Sequence, residues 1–368
     1  MRRRSPKFSL AAPVTRRHID GMKAALLLAL AVSFASLTPA PASAQALGDS
    51  KVRATVPFPG FPEGIATRGH RFYVSGPAAF AQPLGSAYVN AYDIGTGVLE
   101  ATYPITITNP FAGMSAASCA AFGADGKLYV IEPFVGVIRM SLTPGNTQSV
   151  YAPFTPAGPS LLNDLAFDAA GNLYVTDTFA ATIYRVPPGG GAPAVWFTDP
   201  RLAGDPAVPF GVNGIRVDRD GANVYVSVTA ENGSLDGVIY RLPLVNAPVA
   251  ADLEEFHRYP FVPGLPPLLP GPDGLAFGKS DKLYVALAGT SQVSVLRPDG
   301  SEEARYSGPA ANPGGFPDPL PWANPANIAF DDHARSLLVT NHASLVPFDP
   351  DLFVVFDVFV DDKGLPLP

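Results

Sequence analysis

A chain of 368 residues with 47% apolar and only 15% charged residues can bury a large core, which excludes a disordered polymer. Its formal charge is −7; residues 1–44 hold seven Lys/Arg and one Asp, so without them 18 basic and 31 acidic residues leave −13. That surface disfavours nucleic acid and anionic lipid as partners and suits cations or neutral ligands. Pro (41) and Gly (35) are spread along the chain and predict many short elements joined by tight turns.

Residues 1–44 read as a leader carrying a cleaved secretory signal peptide. Met22 is an alternative start, with Lys23 as the charged region, Ala24–Leu37 as the apolar stretch and Ala42-Ser43-Ala44 as a small-x-small cleavage site before Gln45. Arg16-Arg17 is a twin-arginine hint. The apolar run is too short for a membrane anchor, and no cysteine near the cleavage site offers a lipid attachment point. The expectation is an exported protein, periplasmic or secreted, whose residues 45–368 fold as a single domain. Cys119, the lone cysteine, reads as a small buried hydrophobe, with a nucleophilic role a poor second.

One sentence is written six times in that domain. It reads "EGIATRGHRFYVSG" from Glu63, "SCAAFGADGKLYVIE" from Ser118, "NDLAFDAAGNLYVTD" from Asn163, "NGIRVDRDGANVYVSV" from Asn213, "DGLAFGKSDKLYVAL" from Asp273 and "NIAFDDHARSLLVTN" from Asn327. The starts lie 55, 45, 50, 60 and 54 residues apart. Each copy predicts an apolar strand, a tight turn such as Asp125-Gly126 or Ala170-Gly171-Asn172, and a Tyr/Val strand. A third strand follows ("TIYRVPPGG", "GVIYRLPLVN", "QVSVLRPDG"), with room for a fourth. Four antiparallel strands per repeat of about fifty residues describe a propeller blade. The fold class is therefore all-β, a six-bladed β-propeller with four-stranded antiparallel blades. "SKVRATVPF" (50–58) and "LFVVFDVFVDDKG" (352–364) are expected to share the last blade and close the ring.

In a propeller the first strand of each blade lines the channel, and its first residue stands at one mouth. Glu63, Ser118, Asn163, Asn213, Asp273 and Asn327 take those positions in this alignment, all with side-chain oxygens. Convergent carboxylates and carboxamides without His or Cys suit a hard cation, calcium above zinc. Asn, Asp and Ser are also ordinary turn residues, so turn chemistry stays open as the other account of the same positions. The loops leading in ("PFPGFPEG", "FTPAGPSLLND", "DPAVPFGVNG", "VPGLPPLLPGPDG", "FPDPLPWANPAN") are rich in Pro and aromatic residues and predict a stiff apolar rim over a polar floor.

These motifs resemble the regucalcin/gluconolactonase family of six-bladed propellers along essentially all of residues 45–368. The resemblance implies one central divalent metal, commonly calcium, bound by Glu63 of "FPEGIA", Asn213 of "GVNGIRVD" and Asp273 of "GPDGLAF". It also places Asn163-Asp164 beside metal and substrate, with Asn163 as a ligand and Asp164, Ser118 and Asn327 as support or substrate contacts. Glu63-Gly64-Ile65 stands where gluconolactonases read E-G-P, and no His occupies the second repeat, where paraoxonase-like proteins carry one.

The implied activity is calcium-dependent hydrolysis of a small-molecule lactone or ester, with Asp273 as catalytic residue orienting water. The alternative is a non-enzymatic exported propeller of the NHL kind, which binds a ligand or protein partner through its Pro-rich rim. A metal-free, strictosidine-synthase-like role is a third reading. Among the histidines, His70 and His257 are expected to be solvated and His333 to lie away from the site. His342 ends a strand near a loop, and none of the four is assigned to catalysis.

Overall fold

The repeated Leu-Tyr-Val triplet becomes the second strand of each blade, and its neighbours explain its composition. In the computed structural model the second strands are Arg71–Gly76, Leu128–Glu132, Leu173–Asp177, Asn223–Val228, Leu283–Leu287 and Ser336–Asn341. They are buried almost throughout, with a strand on either side and a blade on either face. An outer strand such as Glu302–Ser307 instead alternates between exposed and half-buried residues, as an edge with one solvated face should. The structure describes residues 45–107, 115–143, 145–155, 158–264, 269–308 and 321–365. The leader expected in residues 1–44 lies outside them, as do parts of the Pro-rich loops at 156–157, 265–268 and 316–320.

Six four-stranded antiparallel sheets make the ring, and the described helices are short 3-10 turns only. The inner strands are Gly64–Arg68, Ala120–Phe122, Leu162–Phe167, Val212–Val217, Pro272–Phe277 and Pro325–Asp331, and successive ones pack on each other around the channel. The turns between first and second strands use glycine where a left-handed backbone is needed, as at Gly126 (φ +77°) and Gly171 (φ +82°). Closure follows the expectation: Ser50–Thr55 pairs antiparallel with Val354–Phe359 and becomes the outermost strand of the sixth blade.

The core lies between blades. Four of the five Tyr residues of these triplets meet the Phe of the next blade's inner strand edge to face. The ring centroids are 5.1 Å apart for Tyr73–Phe122, 4.9 Å for Tyr129–Phe167, 5.0 Å for Tyr225–Phe277 and 5.3 Å for Tyr284–Phe330. Such pairs contribute about 0.5–1.5 kcal/mol each beyond their buried area. The repeat thus encodes docking between blades as well as strands. Tyr174 is the exception: the next inner strand offers Val217, and Tyr174 packs on Trp196 of its own blade at 4.8 Å.

Candidate functional site

Strand register decides which residues stand at the mouth. Ile65, Ala120, Leu165, Ile215, Leu275 and Ile328 occupy one equivalent position, each paired with the third residue of the Leu-Tyr-Val element. Two residues earlier stand Glu63, Ser118, Asn163, Asn213, Asp273 and Ala326. The expected sixth oxygen at Asn327 is therefore corrected: Asn327 lies one step deeper, level with Asp164, and a buried alanine takes the mouth position. A one-residue slip moves a side chain to the other side of a strand, and "NIAFD" had been aligned on its Asn instead of on its Ala-Phe-Asp.

Hydroxyls on the second strands fix these first residues. Ser75 Oγ donates to the carbonyl of Ser118 (2.5 Å), Thr176 Oγ1 to Asn213 (2.5 Å), Ser227 Oγ to Asp273 (2.6 Å) and Thr340 Oγ1 to Glu63 (3.1 Å). Blade 2 has Ile131 at the corresponding place; there Cys119 N–H donates to the Asn163 carbonyl at 3.1 Å. Glu63, Ser118, Asn163, Asn213 and Asp273 are thus each held by the preceding blade. Approach at the next level is so close that a Cβ on Gly214 would collide with the Asp273 carbonyl, and one on Gly274 with Asn327 Oδ1.

Three of the sequence-predicted residues have their side chains tied into the surrounding strands, and four do not. Glu63, Asn163 and Asn213 are buried, and Glu63 Oε2, Asn163 Oδ1 and Asn213 Oδ1 have no hydrogen-bond partner among the described residues. Asn213 Nδ2 donates to Thr229 Oγ1 (3.0 Å), which leaves its Oδ1 free. Asp273 is half-buried beside them, and its carboxyl is pushed well above the usual range, first by burial and then by the charges of Glu63 and Asp164, against a hydrogen bond from Asn213. Ser118 Oγ donates instead to the Leu162 carbonyl (3.2 Å). Asn327 is fully engaged: its Nδ2 lies 2.8 Å from Cys119 Sγ and its Oδ1 accepts from Ile328 N–H.

Asp164 is tied inward. Its Oδ1 accepts from Leu165 N–H (2.8 Å), and its Oδ2 accepts from Ile215 N–H (3.1 Å) and from Arg216 Nη1 (2.6 Å). Arg216 also reaches Asn327 Oδ1 at 3.3 Å, so blades 3, 4 and 6 are bridged beneath the mouth. Sequence reasoning missed this arginine, although the signal was present. The same register position holds Ala66, Ala121, Ala166, Ala276 and Ala329 in the other blades. Arg216 also lines a cavity of about 1100 Å3 that opens at the opposite end of the channel, where His333 lies as expected. Cys119 sits beside this plug, and its thiol is pushed up by burial and by Asp164, Glu63 and Asp273, which makes it unreactive.

His342 was also missed. Its Nε2 lies 2.8 Å from Glu63 Oε2, not aligned for a hydrogen bond, and its Nδ1 lies 3.1 Å from Ser344 Oγ. The signal was its place directly after Asn341, at the mouth end of a second strand. His257 is corrected as well: it is half-buried, its Nδ1 lies 2.9 Å from the Gly300 carbonyl, and burial lowers its pKa.

The formal charges on the floor are Glu63, Asp164 and Asp273 against Arg216, a net −2 that a divalent cation balances. Among the described residues no three His, Cys, Asp or Glu side chains are grouped to hold a metal alone. Any ion here takes amide oxygens too, a donor set of the hard-cation kind.

Residues 86–315 match the family described as SMP-30/Gluconolactonase/LRE-like region. The chain belongs to that SMP-30/Gluconolactonase/LRE-like family. At the level of the family this supports a hydrolase acting on small molecules. A diisopropyl-fluorophosphatase of Loligo vulgaris is 22% identical over 302 residues, 79% of this chain and 88% of that protein. The fold is shared with a calcium-binding protein, regucalcin, of Agrobacterium tumefaciens (TM-score 0.64, 18% identity, 87% of this chain and 96% of that one). It is shared too with a gluconolactonase of Xanthomonas campestris (TM-score 0.51, 18% identity, 88% and 91%). Among the described residues, no helix of this SMP-30/Gluconolactonase/LRE-like chain is long and apolar enough to cross a membrane.

Proposed function

We propose that the protein is a calcium-dependent hydrolase of small lactones or esters, with Glu63, Asn163, Asn213 and Asp273 as the metal ligands. The observation that carries this reading is the pair of buried, unpartnered amide oxygens on Asn163 and Asn213 beside the Glu63 and Asp273 carboxyls. A buried acceptor left unpaired costs roughly 1–3 kcal/mol, and two such amide oxygens call for a partner that the neighbouring carboxyls can share. The kinship with a calcium-binding regucalcin supports calcium as that partner.

A cation bound there supplies Lewis-acid polarisation of a carbonyl. The chain's own residues do the rest. Thr229 accepts from the Asn213 amide nitrogen and leaves its oxygen free, and His342 stands beside Glu63 Oε2 and positions that carboxylate. Asp164, neutralised by Arg216, carries Ile215 N–H and so fixes the strand that presents Asn213. Asp273, the acid with the most access to solvent among the buried ones, orients the attacking water and takes its proton.

Calorimetric titration of calcium into chelator-treated protein tests this assignment. One-site binding is expected, lost in Glu63→Gln together with lactone turnover. Wild-type protein that binds no calcium would refute it. It would favour the second reading, a rim that holds ligands without hydrolysing them, for which the exposed rim phenylalanines speak.

A further inference from the structure

Two pairs of exposed phenylalanines flank the polar floor. At the junction of blades 6 and 1, Phe80 on the 3-10 helix Ala79–Leu84 and Phe348 in the loop after Ser336–Asn341 both pack on buried Phe61, with ring centroids 5.2 and 6.0 Å away. Phe80 also meets the His342 ring edge-on at 4.9 Å, so this cluster adjoins the Glu63 carboxylate. Phe80 and Phe348 are each 56% exposed. At the junction of blades 3 and 4, Phe179 and Phe210 stand 5.7 Å apart, 41% and 40% exposed. In a six-bladed ring those two junctions are diametrically opposed.

Single exposed apolar side chains are ordinary. Here four aromatic rings are arranged in two groups: Phe80, Phe179 and Phe348 follow second strands, Phe210 precedes Asn213 by three residues, and the buried Phe61 under the first group precedes Glu63 by two. The buried amide oxygens of Asn163 and Asn213 belong to the same end of the ring. A polyhydroxylated ligand in this mouth would leave hydroxyls unpaired against phenyl faces, a cost of the kind that makes polar sites selective. An amphiphile satisfies both surfaces at once.

We infer that the substrate is an amphiphilic lactone or ester, its carbonyl head on the floor and an alkyl or aryl body lying on the phenylalanines of the rim. The head-group chemistry rests on the hydrolase reading above; the apolar preference is a property of the rim. Each buried methylene contributes about 0.8 kcal/mol, roughly four-fold in affinity. γ-Dodecalactone, which adds an octyl chain to the ring of γ-butyrolactone, should therefore exceed it in kcat/KM by about 100-fold or more even with half the chain covered.

The test has two arms. In the first, calcium-loaded protein is assayed on γ-butyrolactone, glucono-δ-lactone and γ-dodecalactone. Combining Phe80→Ser with Phe348→Ser should lower the dodecalactone-to-butyrolactone ratio about ten-fold. Val195→Ser, equally exposed on the outer strand Ala194–Thr198, should leave it unchanged. In the second, γ-dodecalactone displaces the neutral dye Nile red from the Glu63→Gln protein, with and without the two phenylalanine changes. Displacement that weakens about ten-fold on losing the phenylalanines, with no lactone cleaved by the wild type, supports the amphiphile and removes the hydrolase. Turnover of all three lactones with a ratio indifferent to Phe80 and Phe348 overturns the amphiphile and keeps the hydrolase. Absence of both preference and displacement overturns the inference outright.

Discussion

Replacing Arg216 with methionine tests whether the site floor rests on the ion pair beneath it. The Asp164 side chain is 2% exposed and that of Arg216 20%, so the pair is screened little by water. Removing one partner of a buried pair costs about 3–5 kcal/mol, because the remaining charge is left without compensation. Two backbone N–H groups, Leu165 and Ile215, would still serve Asp164. The expected loss for Arg216→Met is therefore at the low end, about 3 kcal/mol, a large part of a typical domain's stability. Methionine fills much of the arginine stem's space, so the loss reports charge more than cavity. Urea unfolding at pH 7 in chelator is the assay, because calcium at 100 times its Kd would by itself add about 2.7 kcal/mol and obscure the difference. Asp164→Asn combined with Arg216→Met removes both charges and should recover about 2 kcal/mol of the loss. A single-variant loss below about 1 kcal/mol, or a double variant as unstable as the two singles added, would refute the reasoning.

Two further outcomes follow from side chains that position the site. Ser227 is fully buried, donates to the Asp273 carbonyl and accepts from Gly214 N–H at 2.8 Å. Ser227→Ala leaves both groups unpaired, so about 2 kcal/mol of stability should go in urea unfolding, and calcium affinity should fall by calorimetry with every ligand still present. Glu132, buried at the mouth end of its strand, accepts from Ala116 and Phe134 N–H, yet burial pushes its pKa up to about 7. Its folded pKa thus exceeds its unfolded value near 4.5, so its contribution is fully present below pH 4.5 and is lost as pH rises through 7. Glu132 should lower stability by about 3 kcal/mol between pH 4.5 and 8, and Glu132→Gln should remove that part of the slope while leaving the part due to Asp273.

The blade count and the closing strand were legible because they depend on local signals: period-two apolar strands, glycine turns and a repeat near fifty residues. The places of Glu63, Asn163, Asn213 and Asp273 at the start of inner strands were legible for the same reason, since each stands 9 to 11 residues before a Leu-Tyr-Val-type triplet. Arg216 and His342 were not, because their partners lie in other blades. Asp164 is 52 residues from Arg216, and Glu63 is 279 residues from His342. Nothing within a single repeat marks such a pair. The arginine among alanines was visible only when all six repeats were compared position by position.

Asn327 shows how fold and site are coupled. Read as a sixth mouth residue, it completed a ring of oxygens that evenly spaced turn residues could also have produced. Its true register breaks that ring: Ala326 supplies no oxygen, and Ser118 donates into the wall. If turn chemistry alone governed these positions, the oxygens of Glu63, Asn163 and Asn213 should be occupied as well, by local N–H groups of the kind that satisfy Asp164 and Asn327. Those of Asn163 and Asn213 are buried and unpartnered instead, and Glu63 Oε2 has only the His342 ring beside it. Asp164 and Asn327, one level down, are saturated and hold Arg216 between them. Two adjacent levels of the same six strands thus divide the work, the lower satisfied and structural, the upper left open. That division, more than the number of polar residues, separates a binding floor from a set of turns. It predicts that replacing Asn163 should affect ligand binding well before stability, and replacing Asp164 the reverse.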